Sequence, residues 1–354
     1  MTILITGSLG LIGYEATLFY LQKGNKVIGI DNDSRAKMFG IKTKYRKKLY
    51  FLKKNFSNAY IHYHQDIRNK KLIQRIFKTY GKDITYIIHT AAQTSHDYSA
   101  KDPFFDFSIN TDTTLELLEA YRKYAPKAVF IFTSTNKVYG DKVNYLLFKE
   151  YNDRFDLEKG NLYFNGIDED FPVDQSTHSI FGVSKLSADS LVQEYGRYFH
   201  MKTGVFRLGV VAGGGQSGAF QQGFLSFMIE KLIKKKLFSV IGYKGKQVRD
   251  IIHAKDVVSA MDLFFKKPLK GDVFNLGGGR ENSASINEIV VKLRSLTNKK
   301  MKVTYTDTVR KGDHKWWITN YSKFKSFYPS WKISYSLNEI ILEICQSYND
   351  HSKI

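Results

Sequence analysis

Cysteine is almost absent from this sequence, and proline is scarce. The 354 residues include five prolines and a single cysteine, Cys345. One thiol cannot form a disulfide within the chain, and it cannot build a metal site from several thiolates. We therefore expect no metal site, and we expect a reducing compartment, the cytoplasm, as the location.

Long apolar runs are also missing. No stretch approaches the roughly 20 unbroken apolar residues that a membrane span needs. Residues 1–13 are apolar, but they lack a basic start and contain three glycines, so they do not resemble a signal peptide. We expect no membrane partner. Because 43% of the residues are hydrophobic and 25% are charged, we expect a folded, soluble chain.

Acidic residues are few relative to basic ones. The 34 Asp and Glu against 54 Lys and Arg give a formal net charge of +20 at pH 7. Basic clusters such as residues 231–236 are spread along polar helix faces, without an arginine-rich tail or a nucleic-acid-binding motif. Charge alone indicates only non-specific attraction to anions. We expect no specific nucleic-acid partner, and RNA binding stays an alternative suggested by charge.

Short β-branched runs alternate with longer amphipathic stretches, a rhythm typical of βαβ units and a parallel sheet. The predicted strands are residues 2–6, 26–31, 59–64, 84–90, 129–133 and 203–208, and the predicted helices are 11–22, 70–80, 113–124 and 184–199. This pattern predicts an α/β fold with a doubly wound parallel sheet, the Rossmann fold, and a smaller C-terminal α/β lobe that binds substrate.

The regular rhythm ends after residue 212, which we take as a domain limit. Residues 141–174 are predicted to be an irregular insertion, residues 223–236 a helix of the lobe, and residues 272–278 a strand of the main sheet. The predicted dinucleotide-binding domain is residues 1–212 with 250–280 returning to it, and the predicted lobe is residues 213–249 and 281–354.

A glycine-rich turn follows the first predicted strand. Gly7 permits the tight turn, Gly10 lets the backbone approach a pyrophosphate, and Gly13 allows close packing of the next helix. The N–H groups at the start of that helix, at Leu11 and Ile12, would receive the phosphates. The same glycines also fit a flavodoxin-like turn without a ligand, but their place between a strand and a helix favours dinucleotide binding.

The end of the second predicted strand carries Asp31. A carboxylate there accepts hydrogen bonds from the adenosine ribose hydroxyls and repels a 2′-phosphate, which favours NAD over NADP. Arg35 nearby would argue the reverse, but we interpret it as a surface arginine in a loop. The sequence therefore predicts NAD as the cofactor.

These motifs, together with residues 133–140, 222–224 and 245–253, resemble the extended short-chain dehydrogenase/reductase family, the NAD-dependent nucleotide-sugar epimerases and dehydratases. Within it they are most similar to the CDP-sugar 2-epimerase branch. The resemblance implies NAD, a nucleotide-sugar substrate, with a CDP-sugar favoured over a UDP- or GDP-sugar, and a homodimer. It also implies cofactor contacts at Asn32, Asp66, Ile67, Ala91, Ala92, Gln93, Asn110, Thr133 and Lys185.

The resemblance further implies which residues hold the substrate. Arg249 and Arg310 stand at the two positions where the family binds the nucleotide diphosphate, and the guanidinium fork suits such contacts. The other implied substrate contacts are Thr135, Asn136, Lys137, Gln222 and Gln247. The turn at residues 213–218 departs from the usual family form.

The family joins a tyrosine to a lysine four residues later and to a Ser or Thr, here Thr135. Lys185 is present, but Phe181 replaces the tyrosine, and a phenyl ring cannot accept a proton. Three explanations stay open: an engineered Tyr→Phe change, a natural subfamily in which another group takes the proton, and loss of catalysis. We favour the second explanation.

Two histidines are candidates for the missing base. His178 lies one helical turn before Phe181, where i,i+3 spacing places both side chains on one face, and His96 follows the fourth predicted strand. Either could instead be a polar residue without a chemical role. Tyr98, Tyr139 and Tyr163 could each supply a displaced phenol.

The sequence therefore predicts an NAD-dependent nucleotide-sugar epimerase that oxidises its substrate transiently to a keto-sugar. The alternatives are a 4-epimerase, dehydrogenase or dehydratase on the same fold. Because of Phe181, a non-catalytic protein that binds NAD and a sugar nucleotide is a further alternative.

Overall fold

The computed structural model describes residues 1–216, 218–219, 223–309 and 312–349. The strands are β1 (Thr2–Thr6), β2 (Lys26–Ile30), β3 (Tyr60–Tyr63), β4 (Ile84–His89), β5 (Val129–Thr135), β6 (Lys149–Glu150), β7 (Phe155–Asp156), β8 (Thr203–Leu208), β9 (Val210–Ala212), β10 (Phe238–Ile241), β11 (Val248–His253), β12 (Asp272–Leu276), β13 (Ser283–Ser285), β14 (Val303–Thr306) and β15 (Trp316–Trp317).

The α-helices are α1 (Leu11–Gln22), α2 (Ser34–Phe39), α3 (Tyr45–Asn55), α4 (Lys70–Tyr80), α5 (His96–Lys101), α6 (Pro103–Phe107), α7 (Thr113–Tyr124), α8 (Ser179–Arg197), α9 (Phe224–Ile233), α10 (Ala254–Lys266), α11 (Ile286–Thr297), α12 (Ser322–Phe327) and α13 (Leu337–Asn349). Among the described residues, no helix has the length and apolar character needed to cross a membrane.

A seven-stranded sheet is the centre of the fold, with the strand order β12-β8-β5-β4-β1-β2-β3. Strand β1 runs parallel to both of its neighbours: Ile3 pairs with Val27 of β2 on one side and with Tyr86 of β4 on the other. The strand order therefore reverses at β1, and in such sheets a ligand binds beyond the carboxyl ends of the strands at the reversal. This topology confirms the predicted doubly wound α/β fold.

The strands are apolar on both faces because helices cover both faces of a parallel sheet. Ile3, Leu4 and Ile5 of β1 are completely buried. Helix α4 begins after Asn69, whose side chain accepts a hydrogen bond from the N–H of Leu72, and it buries one apolar face against the sheet. Helices α1, α4 and α7 begin and end at the predicted residues.

The described chain divides into two compact units. The first consists of residues 1–135, 180–207 and 257–274, and the second of residues 136–179, 208–256 and the described residues from 275 onward. The predicted limits assign residues 136–179 to the first domain, so the two divisions differ in this segment. Its contacts explain the difference, because the N–H of Ile167 donates to the carbonyl of Ile318 (2.7 Å) and Asn144 Nδ2 donates to the carbonyl of Asp313 (2.9 Å).

The second unit has small sheets and its own apolar core. Strand β11 pairs with β9, β13 and β15, and β10 pairs with β14. Helices α9, α11 and α13 supply side chains such as Ile229, Ile289 and Ile340 to this core. The predicted helix 223–236 corresponds to α9, and the predicted strand 272–278 corresponds to β12 at the edge of the large sheet.

Candidate cofactor and catalytic site

The glycine turn lies between β1 and α1, where the strand order reverses. Gly7 has a φ of +66°, and its N–H donates to the carbonyl of Ile30 at the end of β2 (2.8 Å). A Cβ on Gly7 would lie 2.9 Å from the backbone nitrogen of Ala91, and a Cβ on Gly13 would lie 2.1 Å from the Gly7 carbonyl oxygen. Only glycine fits these two positions without displacing the backbone.

The start of α1 is open to a ligand. Gly10 is the N-cap residue, and no side chain of the described residues caps it. The first N–H groups of a helix have no partner inside the helix and carry its positive dipole end. The structure thus brings Gly7, Gly10, Leu11, Ile12 and Gly13 together as a cradle that suits a pyrophosphate.

The end of β4 closes the other side of this cradle. The N–H of Ala91 donates to Thr6 Oγ1 (3.1 Å), and Thr90 Oγ1 donates to the carbonyl of Thr6 (2.7 Å). These bonds hold the chain after β4 against the end of β1. Ala91 and Ala92, two predicted cofactor residues, therefore follow the strand at the reversal point.

Asp31 follows β2 and reaches the glycine turn. Its carboxylate accepts hydrogen bonds from the N–H of Leu9 (2.9 Å) and the N–H of Asp33 (2.9 Å). Burial raises the pKa of Asp31 above its usual value. The predicted ribose-binding carboxylate thus also fixes the phosphate turn. Arg35 is half-buried, with its guanidinium 5.1 Å from the centre of the Phe39 ring.

Asn32 and Asp66, two further predicted cofactor residues, lie side by side. Asn32 Nδ2 donates to Asp66 Oδ2 (3.4 Å), and Arg68 donates from Nε and Nη2 to the two carboxylate oxygens (3.0 and 2.9 Å). Although burial opposes it, the bonds from Arg68 hold the pKa of Asp66 below its usual value. Ile67, next in the chain, is buried.

Asn110 lies in a π-helical turn, Ser108–Asp112, just before α7, and such turns often mark functional sites. Its side chain accepts from the N–H of Gln93 and donates to the Gln93 carbonyl and to Ser184 Oγ, all at 3.0 Å. Asp106, completely buried, accepts from Gln93 Nε2 (2.5 Å) and from Ser184 Oγ. This network joins the turn after β4 to α8.

Sequence reasoning missed Asp106. A lone aspartate in an amphipathic stretch carries no signal of its own, and its role becomes visible only through contacts with residues 13 and 78 positions away.

Lys185 on α8 reaches the end of β5. Its Nζ donates to the carbonyl of Thr133 (2.7 Å) and lies 3.8 Å from the centre of the Phe132 ring. Burial lowers the pKa of Lys185 to about 7. Thr135 is the last residue of β5 and is half-buried. The structure thus brings the predicted residues Thr133, Thr135 and Lys185 to one end of the sheet.

Phe181 lies one turn before Lys185 on α8 and is buried against α5. Its N–H donates to Ser99 Oγ (3.2 Å), and its ring meets the ring of His96 edge to face, with 5.2 Å between centres. His178 belongs to the second unit, where its Nε2 lies 3.4 Å from Ser176 Oγ. The predicted placement of His178 on one helical face with Phe181 is wrong, because α8 begins at Ser179, which has a positive φ of 61°. His96 is the candidate base for which the structure describes a ring contact with Phe181.

The three candidate phenols have other contacts. Tyr139 is completely buried and donates from its hydroxyl to Asn275 Oδ1 (2.9 Å). Tyr163 packs on Phe171 with 5.1 Å between ring centres, and Tyr98 packs on Phe105 with 5.4 Å. The bond to Asn275 gives Tyr139 a structural role.

Basic groups of the second unit surround Asp313. Arg249 Nη2 donates to Asp313 Oδ1 (2.6 Å), and Lys137 Nζ lies 3.6 Å from the same oxygen and donates to the Gly312 carbonyl (3.0 Å). Burial would raise the pKa of Asp313, but Arg249 and Lys137 hold it far below its usual range. Burial lowers the pKa of Lys137 to about 8. Two cations sharing one carboxylate leave net positive charge here.

The remaining predicted substrate residues are partly described. Gln247 is buried and donates from Nε2 to the Ile241 carbonyl (3.1 Å), while its Oε1 has no hydrogen-bond partner among the described residues. Asn136 is buried in a short 3-10 helix, Asn136–Tyr139. Gln222 and Arg310 lie outside the described residues.

The family model "NAD dependent epimerase/dehydratase family" matches residues 3–277, and the chain belongs to that family. NAD is the cofactor of this family, and the cradle around Gly7 and Gly13 fits it. The predicted family and cofactor are thus confirmed.

More particularly, the chain is 34% identical over 334 residues to CDP-paratose 2-epimerase from Salmonella typhi, a match that covers 91% of this chain and 92% of that protein. It is 29% identical over 336 residues to UDP-glucuronate 4-epimerase from Thermodesulfobacterium geofontis, with 95% and 92% covered. Among solved structures, UDP-glucose 4-epimerase from Thermotoga maritima with UDP-glucose has a TM-score of 0.78 and 27% identity, and the match covers 99% of this chain and 100% of that chain.

Proposed function

We propose that the chain is an NAD-dependent nucleotide-sugar epimerase that oxidises one sugar carbon to a ketone and reduces it again on the other face, acting most like a CDP-sugar 2-epimerase. The observation that carries this proposal is the position of Lys185 and Thr135 at the carboxyl end of β5, in the same unit as the phosphate cradle at the end of β1. The likeness to CDP-paratose 2-epimerase supports the CDP-sugar and the C2 position.

The first unit holds the cofactor in this proposal. The N–H groups at the start of α1 bind the pyrophosphate, and Asp31 accepts hydrogen bonds from the adenosine ribose. Asp66 and Ile67 border the adenine, and Lys185 binds the nicotinamide ribose. When bound, NAD supplies a hydride acceptor for the oxidation and a hydride donor for the return step.

The proton needs a separate acceptor, because Phe181 has no hydroxyl. We assign this role to His96, whose ring lies against the Phe181 ring. Neutral imidazole takes the sugar hydroxyl proton as the carbonyl forms, and it returns the proton when the ketone is reduced. Thr135 orients the sugar hydroxyl. The cycle leaves His96 and the cofactor in their starting states.

The second unit carries the groups proposed for the nucleotide end. Arg249 and Lys137 supply positive charge for a diphosphate, and the guanidinium of Arg249 can bind two phosphate oxygens at once. Gln247 has a buried oxygen that finds no partner in the part of the chain that the structure describes, so it can accept a hydrogen bond from the substrate. Asn136 is a further contact, and Gln222 and Arg310 stay predictions.

The proposal is tested with purified protein and a panel of CDP-, UDP- and GDP-sugars in deuterated water, followed by NMR at C2 and C4. Inversion at C2 of a CDP-sugar is expected, without net use of NAD and without deuterium at the inverted carbon, because the hydride returns directly. Inversion at C4 would replace the 2-epimerase proposal by a 4-epimerase, and accumulated ketone with reduced cofactor would indicate a dehydrogenase.

A second function is favoured by Phe181 itself, since a site without a proton acceptor binds without reacting. In that case the chain is a non-catalytic protein that binds NAD and a sugar nucleotide. This alternative predicts that no sugar nucleotide of the panel reacts, although NAD and the sugar nucleotides still bind. A Phe181→Tyr variant that gains activity over an inert parent would support the same alternative.

A further inference from the structure

A lysine of helix α3 binds the backbone carbonyls of the glycine turn before α1. Lys48 is buried, with 7% of its surface exposed, and its Nζ donates to the carbonyls of Leu9 (3.0 Å) and Gly10 (3.2 Å). The ammonium also lies 4.6 Å from the centre of the Tyr14 ring. An ammonium group is seldom buried at this depth without a role, because leaving water is costly for a charge.

The two carbonyls determine what the lysine does to the turn. In a trans peptide group the C=O and N–H bonds point in opposite directions. Lys48 binds the oxygen of the Gly10–Leu11 peptide group, so the N–H of Leu11 points away from the lysine. A positive charge on the oxygen side also polarises the peptide group and strengthens its N–H as a donor.

The charge adds to a field that is already positive. Lys48 binds the chain at the N-cap residue of α1, where the helix dipole favours anions. Helix α3, which carries Lys48, also contacts the residue after β2, because the hydroxyl of Tyr45 donates to the Asp31 carbonyl (3.2 Å). Helix α3 therefore contacts both the phosphate turn and the residue proposed to bind the ribose.

We propose that Lys48 is a positioning residue for the cofactor pyrophosphate, which holds and polarises the Leu9–Gly10–Leu11 peptide groups and supplies positive charge behind them. This inference rests on the proposed binding of NAD by the first unit. It predicts that Lys48 contributes to the affinity for the pyrophosphate and leaves the affinity for the adenosine part unchanged.

The pH dependence of binding gives a second readout. Burial lowers the pKa of Lys48 to about 8, so its charge is present below that pH and is lost above it. The charged and titratable groups that face it are Tyr14 and Glu15 of α1, Asp31, Arg35 and Lys44. Burial raises the pKa of Tyr14 above its usual value. Affinity is therefore expected to fall as pH rises through about 8.

The experiment compares Lys48→Met and Lys48→Gln with Lys47→Met, which removes the same charge from an exposed position of the same helix. Calorimetry measures binding of NAD and ADP-ribose, and NMR titration measures binding of adenosine. Because Lys48→Met loses a hydrogen-bonded charge, its affinity for NAD and for ADP-ribose is expected to fall by about tenfold. Its affinity for adenosine should be unchanged. Lys47→Met should match the wild type.

Each further result has a defined meaning. Lys48→Gln keeps a donor without the charge, so it should recover thermal stability while NAD binding stays weak and loses the change in affinity near pH 8. A change near pH 7 from Lys185 should persist in this variant. The proposal would be overturned if the Lys47 and Lys48 variants lost the same affinity for NAD, or if Lys48→Met lost as much affinity for adenosine as for NAD. If Lys48→Met does not fold, the wild-type pH profile and Lys48→Gln decide. Wild-type protein that does not bind NAD would refute the proposed function instead.

Discussion

Replacing Gly13 by alanine tests the phosphate cradle most simply. The added methyl would lie 2.1 Å from the Gly7 carbonyl oxygen and 2.8 Å from the Gly7 carbonyl carbon. Unstrained contacts between heavy atoms lie at roughly 3.5–4.0 Å. Because the obstructing atoms belong to the backbone, α1 must move away from the turn by about 1 Å or more.

The expected effects follow from that displacement. Overpacking of this kind destabilises a protein by about 1–3 kcal/mol, so Tm should fall by several degrees. The start of α1 would also move relative to Gly7 and Asp31, which weakens the hydrogen bonds to the pyrophosphate. Loss of one such bond to a charged group is worth about 1.5–3 kcal/mol, which is roughly a 10- to 100-fold weaker Kd for NAD.

Calorimetric titration with NAD and a thermal unfolding scan measure the two effects. Gly160→Ala is the matched control, because a methyl there meets no atom of the described residues within 4 Å, so both quantities should match the wild type. Gly13→Ala protein that binds NAD as tightly as the wild type would show that the start of α1 does not hold the pyrophosphate.

Three further predictions concern chemistry, stability and substrate. His96→Gln should lower kcat by about 100-fold or more, as loss of a general base does, whereas His178→Gln should change it little; equal effects in steady-state kinetics would refute the assignment. Asp189→Asn should destabilise the fold by about 3 kcal/mol in denaturant unfolding, because the buried Arg207 loses its paired carboxylate, and a change below 1 kcal/mol would contradict this. Arg249→Gln should raise KM for the nucleotide sugar by about tenfold with NAD affinity unchanged, and an unaltered KM would remove Arg249 from the diphosphate site.

Local sequence patterns were enough to predict much of the sheet and its helices. The glycines before α1 mark the start of that helix, and the apolar runs of the sequence predict the strands of the parallel sheet. Helix α3 was not predicted, because its lysine-rich segment has little apolar character. The role proposed for this helix depends on a contact between Lys48 and Leu9, which are 39 positions apart.

The site shows the same division between local and long-range information. The glycine turn and Asp31 follow from spacing and chemistry, and Lys185 and Thr135 follow from the family resemblance. The sequence could not choose between His96 and His178, and the helical spacing proposed for His178 fails because α8 begins only at Ser179. The contact between His96 and Phe181 joins residues 85 positions apart and becomes visible only in the folded chain. The homodimer stays a prediction.

The proposed epimerase needs bound NAD to face a nucleotide sugar, and single-turnover absorbance of the nicotinamide tests this directly. Protein saturated with NAD is mixed rapidly with a CDP-sugar, and the signal of the reduced nicotinamide is followed together with the product. We expect a transient reduction of the nicotinamide that decays as the epimer forms. Protein that binds no NAD, or that shows no reduced nicotinamide with any sugar nucleotide of the panel, would contradict it.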